Sequence, residues 1–353
     1  MPPNGGLLLG KLKCHGLSPI VTNNMLNAWR IKTRKTYNSP LKRWRTFCIE
    51  MACDVYKPTL RLALDFIQRE FDRGLGYSAL NVARSSLSAI LCYFEYEHTW
   101  FAFGVHPCTK QLLKACYNQR PPKSRYSEFW DPDVVFEYLR ETWPHSSLSQ
   151  MELGGKLVTL FSLCSSQRMD TMAKIKVGDI VFNAGGCKIL LSDLQKHTRV
   201  GSTLGTITLD EFTPDPKLCV IRCLKDYLYV TKNLRQRNKD SALFLSSRPP
   251  YRGVVSQTLG HWVRRVLRRS GIDTYVYGSH SPRGASASKL FKLNVSVKDI
   301  MQRACWTSES TFRHHYHKPI TQKPLNSNIL QESFVKKFGK RKTKKAFPRT
   351  INI

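Results

Sequence analysis

Apolar side chains recur at three- and four-residue intervals through the first third of the chain, the spacing that one face of a helix requires. From Asn24 to about Tyr117 the amphipathic runs TRKTYNSPLKRWRTFCIEM, TLRLALDFIQREFDRG and SALNVARSSLSAILCYFEYE follow one another, with Gly74 and Gly76 between the last two. The pattern predicts an all-helical domain over residues 24–117, preceded by an N-terminal extension, residues 1–23. The periodicity then stops. NQRPPKSRYSEFWDP is polar and basic, and Pro121 and Pro122 cannot extend a helix, so residues 118–131 read as a linker.

A second domain, residues 132–322, opens with DPDVVFEYLRETW and continues with the apolar run KLVTLFSLCSSQRMDTMAKI. CKILLSDL and TLGTITLDEF are strand-like, flank the turn-rich QKHTRVGS and pair as a hairpin. Helices are predicted around residues 217–230, 256–270, 282–293, 296–304 and 308–316. Residues 323–353 form a basic tail containing KKFGKRKTKK. The expected fold is mainly α, with a small β-hairpin or sheet confined to the second domain.

Charge narrows the function. Lys and Arg outnumber Asp and Glu by 56 to 25 in 353 residues, a net charge of +31, which points to a polyanionic partner. In the first helical run Arg34, Lys35, Lys42, Arg43 and Arg45 alternate with Tyr37, Leu41, Trp44 and Phe47. A solvated surface mixes signs; this face is almost wholly positive and reads as a nucleic-acid contact. No apolar run reaches membrane length, and the early LLLG is too short for a secretory signal, so an intracellular protein without a membrane partner is expected. The tail is the simplest candidate for nuclear targeting or nonspecific DNA binding. Eleven scattered cysteines do not suggest a disulfide framework. The pairs Cys48 and Cys53, Cys108 and Cys116, and Cys219 and Cys223 lack the second pair that a zinc finger needs; Cys219 and Cys223 fit one buried helix face.

Chemistry concentrates in a few places. In SHSPRGASASKLFKLN, Pro282 suits a first helical position and Ser281 a cap, which puts His280 and Arg283 where the backbone is already electropositive. That is either an anion site or a surface loop carrying two cationic residues. Arg168 ends an apolar stretch, where a guanidinium needs an external anion or an internal pair with Asp170 or Asp179. Lys196 lies in the predicted hairpin turn. SVKDIMQRACW carries a capping box from Ser296 to Asp299 and an apolar stripe of Val297, Ile300, Met301 and Ala304, and it delivers Trp306. SESTFRHHYHK, stopped by Pro319, places Phe312 and Tyr316 four apart; Phe312 anchors, and Tyr316 is a second core aromatic or a reacting group.

In that order Arg168, Lys196, His280, Arg283, Trp306 and Tyr316 resemble the catalytic residues of the tyrosine recombinases, the phage-integrase superfamily. RSSLSAIL, RPPKSRYSEFWD, SSQRMDTM, HSPRGASASK and CWTSESTFRHHYHKPI are similar, in particular, to recombinases of eukaryotic DIRS/Ngaro-type retrotransposons and Crypton elements. The likeness runs over residues 25–322. It implies a two-domain DNA clamp, with a helical core-binding domain and an α+β catalytic domain. It also implies cleavage and rejoining of double-stranded DNA through a 3′-phosphotyrosyl bond to Tyr316, for integration or excision of a mobile element. Arg168, Arg283 and Trp306 would surround the phosphate, Lys196 would protonate the departing 5′ oxygen and His280 would assist proton transfer. Arg34, Lys35, Lys42, Arg43, Arg45 and Arg84 would contact DNA, and a homotetramer would form at synapsis. A cage of this charge can replace a divalent metal, and neither metal nor cofactor is expected.

Two positions depart from the pattern. Thr171 stands where members often have an acidic residue, with Asp170 one position earlier, and Trp306 replaces a second histidine with a neutral indole donor. A domesticated DNA-binding protein that no longer cuts, and a type IB-like topoisomerase, share the fold and remain alternatives. Counterion release predicts steep salt dependence of DNA binding: a plot of log affinity against log salt should have a slope magnitude above about 6, at roughly 0.9 per phosphate contacted. A shallow line in such a titration would contradict the clamp.

Overall fold

The computed structural model describes residues 6–193, 198, 201, 205–238, 241–306 and 308–321. Its contacts divide the chain into two compact units, Met1–Lys123 and Ser124–Ile353.

The first unit is built from α1 (Gly6–Lys13), α2 (Pro19–Leu26), α3 (Ile31–Glu50), α4 (Leu60–Asp72), α5 (Tyr77–Ser88) and α6 (Pro107–Gln119). Its core gathers Trp44, Phe47, Phe66, Ile67, Leu80 and Leu87. Trp44 is fully buried, lies against Phe47 and Phe66, and donates its indole N–H to the Val55 carbonyl at 3.0 Å. Leu8 of α1 belongs to the same core. Residues 1–23 are therefore not wholly an appendage to this unit, because an apolar helix among them completes its interior.

The expectation of helix throughout residues 24–117 fails at one place. After α5 the chain forms an antiparallel hairpin, β1 (Tyr93–Tyr96) with β2 (Thr99–Ala102), in which Tyr96 pairs with Thr99. The two loop residues, Glu97 and His98, both have positive φ, 48° and 62°. That is the backbone of a type I′ turn, which usually announces itself with Asn-Gly or Asp-Gly. Neither dipeptide is present, and the aromatic strand residues continue the apolar rhythm of the preceding helix.

The basic face of α3 also needs revision. Lys35, Lys42 and Arg45 are exposed, as a nucleic-acid contact requires. Arg43 instead binds Glu70 at 2.5 Å and Ser39 at 2.6 Å, and Glu70, itself buried, also accepts from Arg73 at 2.9 Å. Arg84 donates to the Gly104 carbonyl at 3.2 Å. Both arginines hold the unit together; neither stands free.

The second unit packs around α8 (Gln150–Ser165), whose residues from Leu153 to Leu163 are all buried. This explains why the segment carries almost no helical periodicity in its sequence. Against α8 lie α10 (Val220–Asn238), α11 (Ser256–Arg269) and α12 (Ser281–Lys292), with α7 (Pro132–Glu141) and the short α9 (Met169–Met172) near α11. Close approach depends on Gly154, where a Cβ would stand 2.8 Å from the Trp262 ring. The predicted hairpin is present as β5 (Gly186–Leu190) and β6 (Thr206–Asp210), and β4 (Ile180–Asn183) adds a third antiparallel strand. The helices α13 (Val297–Arg303) and α14 (Glu309–His315) follow α12. Cys219 and Cys223 are both buried at α10, as the sequence suggests. Among the described residues no helix is long and apolar enough to cross a membrane.

The segment read as a linker is in part structural. Phe129 and Trp130, 2% and 4% exposed, form β3 and pair in parallel with β7 (Ile320–Thr321). The Phe129 ring presses on α12 at Gly284, and a Cβ there would collide with it. Alanine in place of glycine inside a helix ordinarily stabilises by about 1 kcal/mol. Gly284→Ala is expected to do the opposite, because a boxed aromatic ring must yield; overpacking of this kind costs about 1–3 kcal/mol, measurable as a lowered urea midpoint.

Candidate active site

The site is assembled on α12. Pro282 occupies its first turn, as the sequence indicates, but Ser281 is not the cap. The Ser281 hydroxyl accepts the Trp130 indole N–H at 3.0 Å, and the capping position falls to His280, which makes no side-chain capping bond. The first-turn N–H groups of α12 thus have no side-chain acceptor from the capping residue.

One turn in, Arg283 is 4% exposed. Its Nη2 donates to the Ala304 carbonyl at 3.3 Å, while Nε and Nη1 are buried without a partner. The guanidinium lies 4.9 Å from the centroid of Trp306 and 5.5 Å from that of Tyr316. Burial pushes its pKa down to about 10, so it keeps its charge at neutral pH. A buried guanidinium with two nitrogens unanswered is costly unless an anion arrives to meet it.

Trp306 presents the same feature. It is 8% exposed, its Nε1 has no partner, and its ring stacks on Tyr316 at 4.2 Å and 16°. The turn that carries it is pinned from two sides: by Arg283 at Ala304, and by Gln167, which donates to the Arg303 carbonyl and the Cys305 sulfur at 3.4 Å each. Sequence reasoning passed over Gln167, although it precedes Arg168 directly. Arg168 caps α9 and is half-buried; among the described residues neither Asp170 nor Asp179 pairs with it. Its positive charge acts on both Arg283 and His280.

His280 sits at the rim. Desolvation, followed by the charges of Arg283, Arg125 and Arg168, holds its pKa below the ordinary 6.5, so the imidazole is neutral at neutral pH. Arg125 is a participant that sequence reasoning placed in the linker. Its Nη2 lies 3.0 Å from where a Cβ on Gly278 would stand, and the neighbouring Tyr126 accepts the Gly278 N–H at 3.2 Å and stacks on Tyr277. Only the basic character of the proline-rich segment hinted at this.

Tyr316 follows α14 directly, half-buried, with its N–H on the Phe312 carbonyl at 2.8 Å and Phe312 fully buried beneath it. Of the other tyrosines weighed as reacting groups, Tyr227 is buried with its hydroxyl on the Leu245 N–H, and Tyr277 is buried against Tyr126. Tyr229 and Tyr275 point to solvent. Tyr316 alone among them lies against Arg283 and Trp306. The structure therefore brings together Arg168, His280, Arg283, Trp306 and Tyr316, while Lys196 lies outside the described residues.

A mainly helical two-unit chain with small sheets and this cluster at the start of a helix has the architecture of a tyrosine recombinase. The chain belongs to the phage integrase family, which it matches over residues 143–322, just over half its length. A stretch of 78 residues is 37% identical to the "Putative integrase/recombinase y4rA" of Sinorhizobium fredii, and spans 22% of this chain and 18% of that protein. In fold the chain is similar to the XerH site-specific recombinase bound to palindromic difH substrate in a post-cleavage complex, with a TM-score of 0.56, 14% identity, and 87% and 90% of the two chains covered. It is also similar to the Tn1549 transposon integrase in complex with circular intermediate DNA, with a TM-score of 0.50, 12% identity, and 94% and 99% covered.

Because the Arg125 charge adds to desolvation and to Arg283 in holding the imidazole neutral, Arg125→Gln should raise the His280 pKa part of the way toward its ordinary value. An NMR titration of the ring measures this directly. An unchanged or lower value would show that Arg125 does not face His280.

Proposed function

We propose that this chain cuts and reseals duplex DNA at specific sites through a covalent bond between Tyr316 and a 3′ phosphate, in the service of a mobile element's integration or excision. The observation that carries this reading is the group of unanswered buried donors, Arg283 Nε and Nη1 and Trp306 Nε1, beside the Tyr316 ring. Their chemistry matches a phosphodiester. Paired guanidinium N–H groups grip non-bridging oxygens, and an indole N–H adds a donor without adding charge.

Attack by a phenol requires loss of its proton and stabilisation of a pentacoordinate phosphorane. Neutral His280 is suited to take that proton, and Arg168 and Arg283 offset the developing charge. The bond to the 5′ oxygen breaks as the bond to Tyr316 forms, and Lys196 is the residue proposed to protonate the leaving oxygen. Reversal by a free 5′ hydroxyl restores the phosphodiester and frees the phenol, so no nucleotide hydrolysis is needed. The net charge of +31 and the exposed Lys35, Lys42 and Arg45 of α3 supply sequence-independent hold on the duplex. The DNA substrates of the XerH and Tn1549 structures support duplex DNA as the partner. Kinship with DIRS/Ngaro and Crypton recombinases, a homotetrameric synapse and nuclear delivery by the tail belong to the same proposal.

The test uses nicked duplexes of randomised sequence, incubated with the full chain and resolved on a denaturing gel. Wild type is expected to give a covalent band, and Tyr316→Phe to bind DNA while giving none. Arg283→Lys keeps the charge but not the planar fork, and should slow capture by about a hundredfold. An adduct formed by Tyr316→Phe, or a DNA-linked peptide containing another tyrosine, would overturn the assignment.

A further inference from the structure

Ser288 lies on α12 five residues beyond Arg283 and is 3% exposed. Its hydroxyl donates to the Tyr316 carbonyl and accepts the Lys318 N–H at 3.3 Å. One side chain thus holds the main chain on both sides of His317. The neighbouring Ser286 has a different attachment, donating to Leu163 at 2.5 Å, so the hydroxyls of this helix are aimed individually.

The need for such a hold follows from where Tyr316 sits. It lies just past the end of α14, a helix of only seven residues, so its carbonyl has no intrahelical donor; the Lys318 N–H reaches it at 3.1 Å from within the same stretch, and Ser288 is the donor that reaches it from α12. The next fixed point is Pro319, whose carbonyl accepts the Phe129 N–H at 2.8 Å at the start of the β3–β7 pairing. Between α14 and that ladder, two side chains of the helix bearing Arg283 hold this stretch: Phe291 packs on the His317 ring at 4.3 Å, and Ser288 supplies the hydrogen bonds to the main chain.

We infer that Ser288 is a positioning residue, which locks the Tyr316 backbone to α12 and so sets the direction from which the phenol meets a phosphate held at Arg283. The inference rests on the reading of Tyr316 as nucleophile. It places the nucleophile and its principal cation in one rigid frame within a single protomer. A displacement of the attacking oxygen by about 1 Å can slow such a reaction by about a hundredfold, so a hydroxyl that touches no substrate still bears on the rate.

Ser288→Thr and Ser288→Val test it as a pair. Their side chains have nearly the same shape, so any packing penalty is shared and the comparison isolates the hydroxyl. Three quantities are measured on the full chain: exchange of the Lys318 amide hydrogen without DNA, affinity for the randomised nicked duplexes, and the rate of covalent capture at saturating duplex. Relative to Thr, the Val protein should exchange the Lys318 amide faster and capture DNA about tenfold or more slowly, with affinity unchanged, while Thr stays near wild type. Equal capture by the two variants overturns the inference, whether or not the amide exchange differs. Loss of affinity in step with capture also overturns it, since that would mark a general structural defect. A wild-type chain that captures no duplex removes the nucleophile reading and this inference with it; the exchange contrast then separates that failure from loss of the hydrogen bond itself.

Discussion

A guanidinium placed below the protein surface with two of its nitrogens unanswered is the constraint around which the second unit's site is arranged. Arg283 cannot shed its charge at neutral pH, and neither Asp nor Glu is among its partners. The surrounding parts hold it in place. α12 is kept against β3 by the Trp130 to Ser281 hydrogen bond and by the fit of Phe129 on Gly284, and the turn before Trp306 is fixed through Ala304. The fold maintains a site whose electrostatics are incomplete, and that incompleteness is the observation on which the proposed phosphate chemistry rests.

Much of this could be read from the sequence, for reasons that differ from element to element. The helices that carry the site announce themselves through caps and stripes: Ser296 does accept the Asp299 N–H at 3.1 Å, and Phe312 is the anchor its spacing suggests. Arg168 stood out because an apolar segment has no other use for it. What escaped were features decided by tertiary packing. Ser281 looks like a cap in sequence, yet an indole 151 positions away claims its hydroxyl. The hairpin at Tyr93 escaped because its turn residues are unusual, and Gln167, Arg125 and Ser288 because their roles are defined by groups remote along the chain.

The first unit shows how a positive face divides its labour. Charge alternation along α3 marks five basic residues alike, but Arg43 answers Glu70, a carboxylate buried in the helical core. Removing that arginine would leave the buried carboxylate with Arg73 as its one remaining ion-pair partner among the described residues, so its loss bears on folding first. Lys35, Lys42 and Arg45 have no such duty and are the residues through which contact with a polyanion can vary at little cost to the fold.

The parallel pairing of β3 with β7 has a mechanical meaning. The segment that leads out of the first unit and the segment that follows Tyr316 are rungs of one short ladder, Phe129 with Ile320 and Trp130 with Thr321. A pull on the chain ahead of Phe129 is therefore shared between this ladder, which meets the backbone four residues beyond Tyr316, and the contacts of Tyr126 with Tyr277 and Gly278. Strain along this stretch thus reaches both the backbone after Tyr316 and the loop ahead of α12, which makes the segment a mechanical coupler within the second unit as well as a connection.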